Sequence, residues 1–545
     1  MAARVLQWVG GLAVVALIVG TGVAVTGLGS GNGEGERSFS FLAGSEKKAF
    51  EPVIRAYCAD QGWDCQFHYA GSVDIKLALE EQEDFAHDVV APAHSRWIEM
   101  GDSRRRVTDV TSVAVSPVAF GIRRDKAEAL GLIDRPVTIA ALLDLVRDQT
   151  LTFLMSNPTQ SNSGFSAYMG FLRALDPSGD LLTLEDLNNA SLRAGVRDML
   201  GGITRTSGSS GWLADLYVEA ARRETVYDAM VNYEAVLLDT NRQLEALGQA
   251  PLYLIYPADG TALADNPVGF VTRDRPDAAE RKAFYDGLLA WLGGPEVRAR
   301  LETDGWRTGV GGAVASAAAR AAFNPAWGAT TDPVPVVRFP DVPVINAALE
   351  LYQTTLRRPT LLALCLDDSG SMQGAGHQQL LMALERIFDP AQAGRLLLRP
   401  HPRDQYLVFT FNAQTTFAGQ VPGTDSTRVI DIARAMKTSG NTDFNRCTLQ
   451  AAQAVKTLAQ QPDYADHLMA VSLMTDGQLS RDIALPLTAV QTVWQGLDLD
   501  LPVHTILFGA AAREEVAPIA EATLGRVFDG REDLAEAFRD MRGYQ

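Results

Sequence analysis

A chain of 545 residues exceeds what one core can hold, since single cores stop growing at about 250–300 residues, and two or more domains are expected. The composition, 47% hydrophobic and 21% charged, is that of a globular protein and excludes extended disorder. With 66 acidic against 48 basic residues the formal net charge is -18, which argues against a phosphate backbone as partner, so no nucleic acid is expected.

The first predicted element is Val5 to Leu28, 24 residues without a charge, long enough as a helix to cross the ~30 Å core of a bilayer. Arg4 precedes it and Glu34, Glu36 and Arg37 follow, so the bulk of the chain is expected outside the cytoplasm. An uncleaved anchor is favoured over a cleaved signal peptide because the apolar stretch is long and no clear A-x-A site follows. A lipid anchor is disfavoured because the first cysteine is as late as Cys58. "GLGSGNGEGERS", Gly27 to Ser38, reads as a flexible tether, giving an anchor and tether over 1–38.

From Phe39 the pattern alternates strand and helix. "FSFLAGSEKKAFEPVIRAY" is a strand, a turn and an amphipathic helix, and "CQFHYAGSVDIKLALEE" repeats the unit. Further units are read at "VAVSPVAFGIRR", "TLTFLMSNPTQSNSGFSAYMGFLRAL" and "LYLIYPADGTALADNPVGFV", with a helix at "RKAFYDGLLAWLGG". Cys58 and Cys65 flank a short turn, where a bridge is favoured over two buried thiols, whereas Cys365 and Cys447 are read as separate packing residues. Proline-rich sequence marks a connection over 311–342.

The second region, 343–545, opens with the helix "INAALELYQTTL". Strands follow at 361–366, 405–412, 415–418, 468–475, 502–508 and 526–529, and helices at 376–388, 428–438, 443–460, 484–496, 512–524 and 531–541. This is a doubly wound α/β domain, in which ligands collect beyond the carboxyl ends of the strands. The apolar run "LLALCL" breaks into Asp367, Ser369 and Ser371, "SGNTDF" places Thr442 before a helix, and "SLMTDGQL" places Asp476 after a strand. Oxygen side chains with no His or Cys among them suit a hard divalent cation, Mg²⁺ first, with Ca²⁺ or Mn²⁺ as alternatives.

These residues resemble the metal-ion-dependent adhesion site of von Willebrand factor A (VWA) domains, over about 343–545. The resemblance implies direct ligation by Ser369 and Ser371, direct or water-mediated ligation by Thr442, and mainly water-mediated ligation by Asp367 and Asp476. It also implies a protein partner that offers an Asp or Glu carboxylate to the metal. The alternative is that D-x-S-x-S only caps the next helix and Asp476 only sits in a turn.

Residues 39–310 are similar to two-lobed bacterial extracellular solute-binding proteins, through "LAGSE", "YAGSVDIKLAL", "SNPTQSNSG" and "YPADGTALADNPV". Together the two regions resemble bacterial substrate-binding and VWA-domain proteins. The fold expected is therefore α/β throughout: a transmembrane helix, a periplasmic-binding-protein-like domain and a Rossmann-like VWA domain. Ser45, Ser72, Thr159, Ser161 and Ser163 lie in turns that open helices, where N–H groups favour an anion, and Asn157, Tyr256 and Asp259 are candidates to complete a cleft for a small polar or anionic ligand. Each serine can equally be an ordinary helix cap. "RRR", Arg104 to Arg106, and His377 are read as surface residues, and the tryptophans as core or interface.

No G-x-x-x-x-G-K-[ST], H-E-x-x-H or G-x-S-x-G occurs, so no enzyme is expected. The leading expectation is a membrane-anchored extracytoplasmic binding protein using Mg²⁺ to hold a partner's carboxylate. The alternatives are a solute receptor for a transporter or signalling system, with the second domain as scaffold, and a chelatase-like accessory subunit.

Overall fold

Ser38–Gly44 opens as a strand whose alternate residues part between two faces: Phe39, Phe41 and Ala43 enter one apolar cluster and Leu42 another. The computed structural model describes residues 37–179 and 181–545. The predicted span Val5–Leu28 and nearly all of the tether lie outside the described residues, among which no helix is long and apolar enough to cross a membrane.

The first strand sits within a five-stranded sheet in the order Asp64–Ala70, Ser38–Gly44, Val89–Ala91, Pro267–Val271, Val107–Ser112. Pro267–Val271 runs antiparallel to both neighbours, and the strands before it in that order are parallel. A second sheet runs Leu263–Ala264, Ser116–Arg123, Ala229–Tyr233, Phe153–Ser156, Ile203–Ser207, with Leu252–Ile255 also paired to Ser116–Arg123. The chain thus leaves one lobe after Ser112 and returns before Pro267, and the two crossings are tied by Val113 N donating to Asn266 O at 3.3 Å.

One predicted unit differs. "LYLIYPADGTALADNPVGFV" yields strands at Leu252–Ile255, Leu263–Ala264 and Pro267–Val271 with no helix between them. Pro257 and Pro267 each lack a backbone donor, and Gly260 has φ +119, which leaves each apolar run too short for a helical stripe.

The third sheet has the order Thr415–Pro422, Gln405–Phe411, Thr360–Asp367, Leu468–Thr475, Val503–Leu507, Val527–Asp529, parallel except for Thr415–Pro422. Thr360–Asp367 is buried along its whole length, with Leu362, Leu364 and Leu366 in one cluster and Leu361, Ala363 and Cys365 in the other. The chain starts in mid-sheet, builds outward to one side, and then crosses to the other. The strand order therefore reverses between Thr360–Asp367 and Leu468–Thr475, and a crevice opens at their carboxyl ends.

Both cysteine pairs are bridged. Cys58–Cys65 spans a Cα–Cα distance of 6.0 Å and Cys365–Cys447 one of 6.1 Å. The second bridge corrects the reading of Cys365 and Cys447 as separate packing residues. Cys365 faces the side of the sheet covered by the helix Phe444–Ala459, whose first turn carries Cys447. Their separation of 82 residues hides that adjacency in the sequence.

The proline-rich connection is held by hydrogen bonds. Arg307 donates to the carbonyls of Thr330 and Asp332 at 2.6 and 2.7 Å, and Thr261 exchanges backbone bonds with Pro335 and Val337. The helix Val342–Leu351 then packs on the second lobe, where Tyr168 donates to Ala348 O at 2.8 Å.

Candidate functional site

Two candidate sites emerge, one at the crevice of the third sheet and one between the lobes. At the crevice, Asp367 ends its strand fully buried. Its Oδ1 accepts from Ser369 N at 2.8 Å and its Oδ2 accepts from Thr475 Oγ1 at 2.6 Å. The loop that follows is fixed by Gly370 N donating to Gly440 O at 3.0 Å and by Ser439 N donating to Asp368 O at 2.8 Å, so the "SGNTDF" loop lies against D-x-S-x-S.

This places the oxygens together. Ser369 Oγ and Ser371 Oγ are 3.1 Å apart, and Ser371 Oγ donates to Asp476 Oδ1 at 2.8 Å. Thr442 is held by Ser480, whose Oγ accepts from Thr442 N at 3.0 Å. A Cβ placed on Gly477 would come 2.8 Å from Ser371 Oγ and 3.4 Å from Thr442 Oγ1, so both hydroxyls meet over the same glycine. A Cβ on Gly376 would come 2.7 Å from Asp476 Oδ2, so the helix Ala375–Phe388 starts directly against this carboxylate. All the residues proposed as metal ligands thus converge on one spot, and Ser371 is exposed while the other ligands are buried.

Burial raises the Asp367 carboxyl to about 6; the hydrogen bonds from Ser369 and Thr475 pull it down, and Asp476 adds to the rise. Burial also raises Asp476, against the bond from Ser371. A cation between them would relieve both. Adjacent ligand oxygens around Mg²⁺ bonded at about 2.1 Å lie about 3.0 Å apart in an octahedron, close to the 3.1 Å between the hydroxyls of Ser369 and Ser371. Among the described residues no three His, Cys, Asp or Glu side chains cluster to hold a metal, so this set depends on its hydroxyls. Asp368 Oδ1 is buried there without a hydrogen-bond partner.

Between the lobes lies a cavity of about 660 Å³. The turns after three strands border it: Ser45, Gly71 and Gln160, with Gly208 and Ser209 from a fourth. Of the residues proposed from sequence, Ser45 lines this cavity, its Oγ 3.0 Å from Ser209 Oγ. The others are placed elsewhere. Ser72 Oγ accepts from Ala93 N at 3.0 Å, and Ser163 Oγ lies 2.6 Å from Ser156 Oγ and 3.3 Å from Ser161 Oγ. Thr159 N and Oγ1 both donate to Asn157 Oδ1, and these two residues border a separate small void. Tyr256 donates to Glu234 within a buried pair, in which Glu234 meets Arg307 at 2.6 Å with both side chains sealed from water. Asp259 accepts from Ile139 N at 3.0 and 3.1 Å and so tethers the start of the helix Ile139–Arg147.

Sequence reasoning missed the third wall of this cavity, which comes from the other end of the chain. The helix Leu534–Met541 and the residues after it dock on both lobes: Arg539 pairs with Asp74 at 2.7 Å, and Gln160 Nε2 donates to Arg539 O at 2.6 Å. Thr206 N donates to Gln545 O at 2.6 Å, and the rings of Tyr544 and Trp212 meet edge to face with centroids 4.6 Å apart. A charged residue in a C-terminal amphipathic helix carries no sign in the sequence of facing a carboxylate 465 positions earlier. Arg104 and Arg105 are exposed, as expected of a solvated face, and Arg106 is half-buried; Arg104 and Arg106 both donate to the carbonyl of Gln82 beyond the helix Ser72–Glu81. His377 is half-buried, its Nε2 2.8 Å from Ala433 O.

No curated protein matches this chain. Among solved structures it is similar to the sulfate-binding protein SubI from Mycobacterium tuberculosis H37Rv, with 16% identity over 58% of this chain and 98% of that one and a TM-score of 0.38. A periplasmic thiamin-binding protein aligns with 11% identity over 56% of this chain and 87% of that one, TM-score 0.38. A von Willebrand factor type A protein from Catenulispora acidiphila aligns with 18% identity over 35% of this chain and 43% of that one, TM-score 0.27. Residues 41–307, the stretch that builds both lobes, match the family model described as bacterial extracellular solute-binding protein.

Proposed function

We propose that this chain is an extracytoplasmic receptor that holds a small polar solute between its two lobes and acts by binding, with no bond-breaking step. The observation that carries this reading is the cavity of about 660 Å³ between lobes that fall within the family-matched stretch, a volume in the range of small-molecule sites. Two disulfides in the fold support an oxidising compartment, and the N-terminal apolar segment supplies the proposed membrane anchor. The same disulfides disfavour a chelatase-like role beside a cytoplasmic ATPase. The test is calorimetric titration of the protein with a panel of sugars, amino acids, amines and oxyanions. Saturable 1:1 heat with at least one of them is expected, and none from any would sink the receptor reading.

A second, compatible reading is carried by the converging oxygens at the crevice. There Ser369 and Ser371 would hold Mg²⁺ directly, Thr442 directly or through water, and Asp367 and Asp476 mainly through water. When bound, the ion supplies a coordination position to a carboxylate of a protein partner. Ser371 is exposed at the mouth of the crevice, which leaves that position approachable. A pull-down from membranes with Mg²⁺ or EDTA, using wild type and Asp367→Ala, tests it. Partner capture that is the same under all these conditions would count against it.

A further inference from the structure

The wall of the inter-lobe cavity carries seven carboxylate side chains against four basic ones. Some of these are already matched: Asp239 pairs with Arg242 at 3.0 Å, Asp304 with Arg300 at 3.0 Å, and Asp74 with Arg539 at 2.7 Å. Arg526 is spent as well, its guanidinium donating to Tyr544 OH and lying 5.1 Å from the centre of the Phe528 ring. Asp540 and Glu536 also lie 3.5 and 3.8 Å from Arg539, which leaves Glu46 and Asp215 against Lys48, and an acidic lining alone would be no more than a solvated surface.

Glu46 makes it more than that. This residue, in the turn after Ser38–Gly44, lines the cavity while only 8% exposed, and its Oε1 is buried without a hydrogen-bond partner. Its neighbour Lys47 donates from Nζ to Asn266 Oδ1 at 2.7 Å, and its charge draws the Glu46 carboxyl down against the rise from burial. A buried acceptor with no donor costs the full desolvation of the group, and more when it is charged, so such a group persists where something else supplies the donor. Burial raises the Glu46 carboxyl. In the same lining, burial and the facing Asp74 raise Asp540 to about 7, although Arg539 opposes the rise. Trp306 adds an aromatic ring to the lining, where a cationic nitrogen is stabilised by ring faces; Tyr69 already carries Lys48 over its ring, and Trp212 and Tyr544 carry Arg526.

We infer that the solute held between the lobes carries a cationic, hydrogen-bond-donating nitrogen, an alkyl amine or guanidinium, and that Glu46 is its counter-charge, with Asp540 a second carboxylate on the wall built by the C-terminal helix. It narrows the expectation of a small polar or anionic ligand to a polar cationic one; of the helix-opening residues behind that expectation, only Ser45 borders the cavity. The inference rests on the receptor reading and deepens it.

The test is calorimetric titration of the full chain with putrescine, arginine and ethylamine as cationic probes, phosphate and sulfate as anionic ones, and glucose as a neutral one. Wild type, Glu46→Gln and Asp540→Asn are compared, and folding of each variant is checked by circular dichroism. At least one amine is expected to bind, and Glu46→Gln, which keeps the shape and loses the charge, is expected to weaken it tenfold or more. The same substitution is expected to leave the unfolding midpoint of the ligand-free protein unchanged or higher. Binding of an anion or of glucose with none of the amines would overturn the inference and leave the receptor reading standing. Heat from no probe at all would overturn both. Amine binding that Glu46→Gln leaves unchanged in a folded variant would overturn the assignment of Glu46.

Discussion

Ser371 Oγ donates a 2.8 Å hydrogen bond to Oδ1 of Asp476, a residue 105 positions further along the chain and on the neighbouring strand's loop. That contact joins two of the three loops of the crevice. Replacing Asp476 by Ala is therefore expected to lower Mg²⁺ affinity tenfold or more, read by titration calorimetry, while the far-ultraviolet spectrum stays that of wild type. Asp367→Asn should act in the same direction. It should also cost about 1–3 kcal/mol of stability, because one carboxylate oxygen that accepts from Ser369 N or Thr475 Oγ1 becomes a donor.

The Cys365–Cys447 bridge pins the central strand to the helix that follows the Thr442 loop. Peptide mapping without reduction should recover these two cysteines crosslinked. The double replacement Cys365→Ala/Cys447→Ala is expected to cost about 2–5 kcal/mol in denaturant unfolding. Recovery of both thiols free in protein secreted through an oxidising compartment would contradict the pairing.

Glu234 and Arg307 form an ion pair sealed from water, 0% and 1% exposed, with Tyr256 donating to the same carboxylate. Arg307→Met would leave a buried unpaired carboxylate and is expected to cost about 3–5 kcal/mol. Tyr256→Phe removes one hydrogen bond from the pair and should cost about 1–2 kcal/mol. Neither should change the affinity of a solute in the inter-lobe cavity except through folding, which separates them from Glu46→Gln in the same calorimetric experiment.

His401 is nearly buried, and burial together with the adjacent Arg357 lowers its imidazole to about 4. Since a free histidine titrates near 6.5, the folded state holds it neutral where the unfolded chain takes a proton. Its contribution is present above about pH 6.5 and lost as pH falls from there toward 4, about 3 kcal/mol in all. His401→Asn keeps an acceptor for Arg403 N and removes the titration, so its stability curve should be flatter than wild type across that window. Parallel curves in urea unfolding at stepped pH would refute this origin.

The third sheet was legible because each of its signals is local. "LLALCLDD" is apolar on both faces, ends in acids, and forms the strand Thr360–Asp367. Asp367, Ser369, Ser371, Thr442 and Asp476 could be proposed together because a parallel sheet delivers the ends of neighbouring strands to one crevice. The inter-lobe cavity was not legible in the same way. "SNPTQSNSG" offers hydroxyls at a helix start, but Ser163 turns inward to Ser156 and Thr159 to Asn157, a choice made by packing behind the loop. Glu46 sits beside two lysines in "GSEKKAF" and reads as a solvated charge, and only the folded chain shows Lys47 bonded to Asn266. Cys365 and Cys447 failed for the same reason, since sheet-to-helix adjacency has no spacing rule.

One helix lies between the two candidate sites. Leu534–Met541 presents Arg539 to Asp74 in the first lobe. On its other side Phe538 packs against Phe388 with ring centroids 5.8 Å apart, and the preceding Asp533 pairs with Arg386 at 3.2 Å. Phe388 and Arg386 close the helix Ala375–Phe388, whose opening turn at Gly376 abuts Asp476. A jointed rod of two packed helices thus runs from the inter-lobe cavity to the crevice of the third sheet. If filling the chamber displaces its near end, thermodynamic reciprocity obliges an ion at the far end to alter the hold on the solute by the same factor.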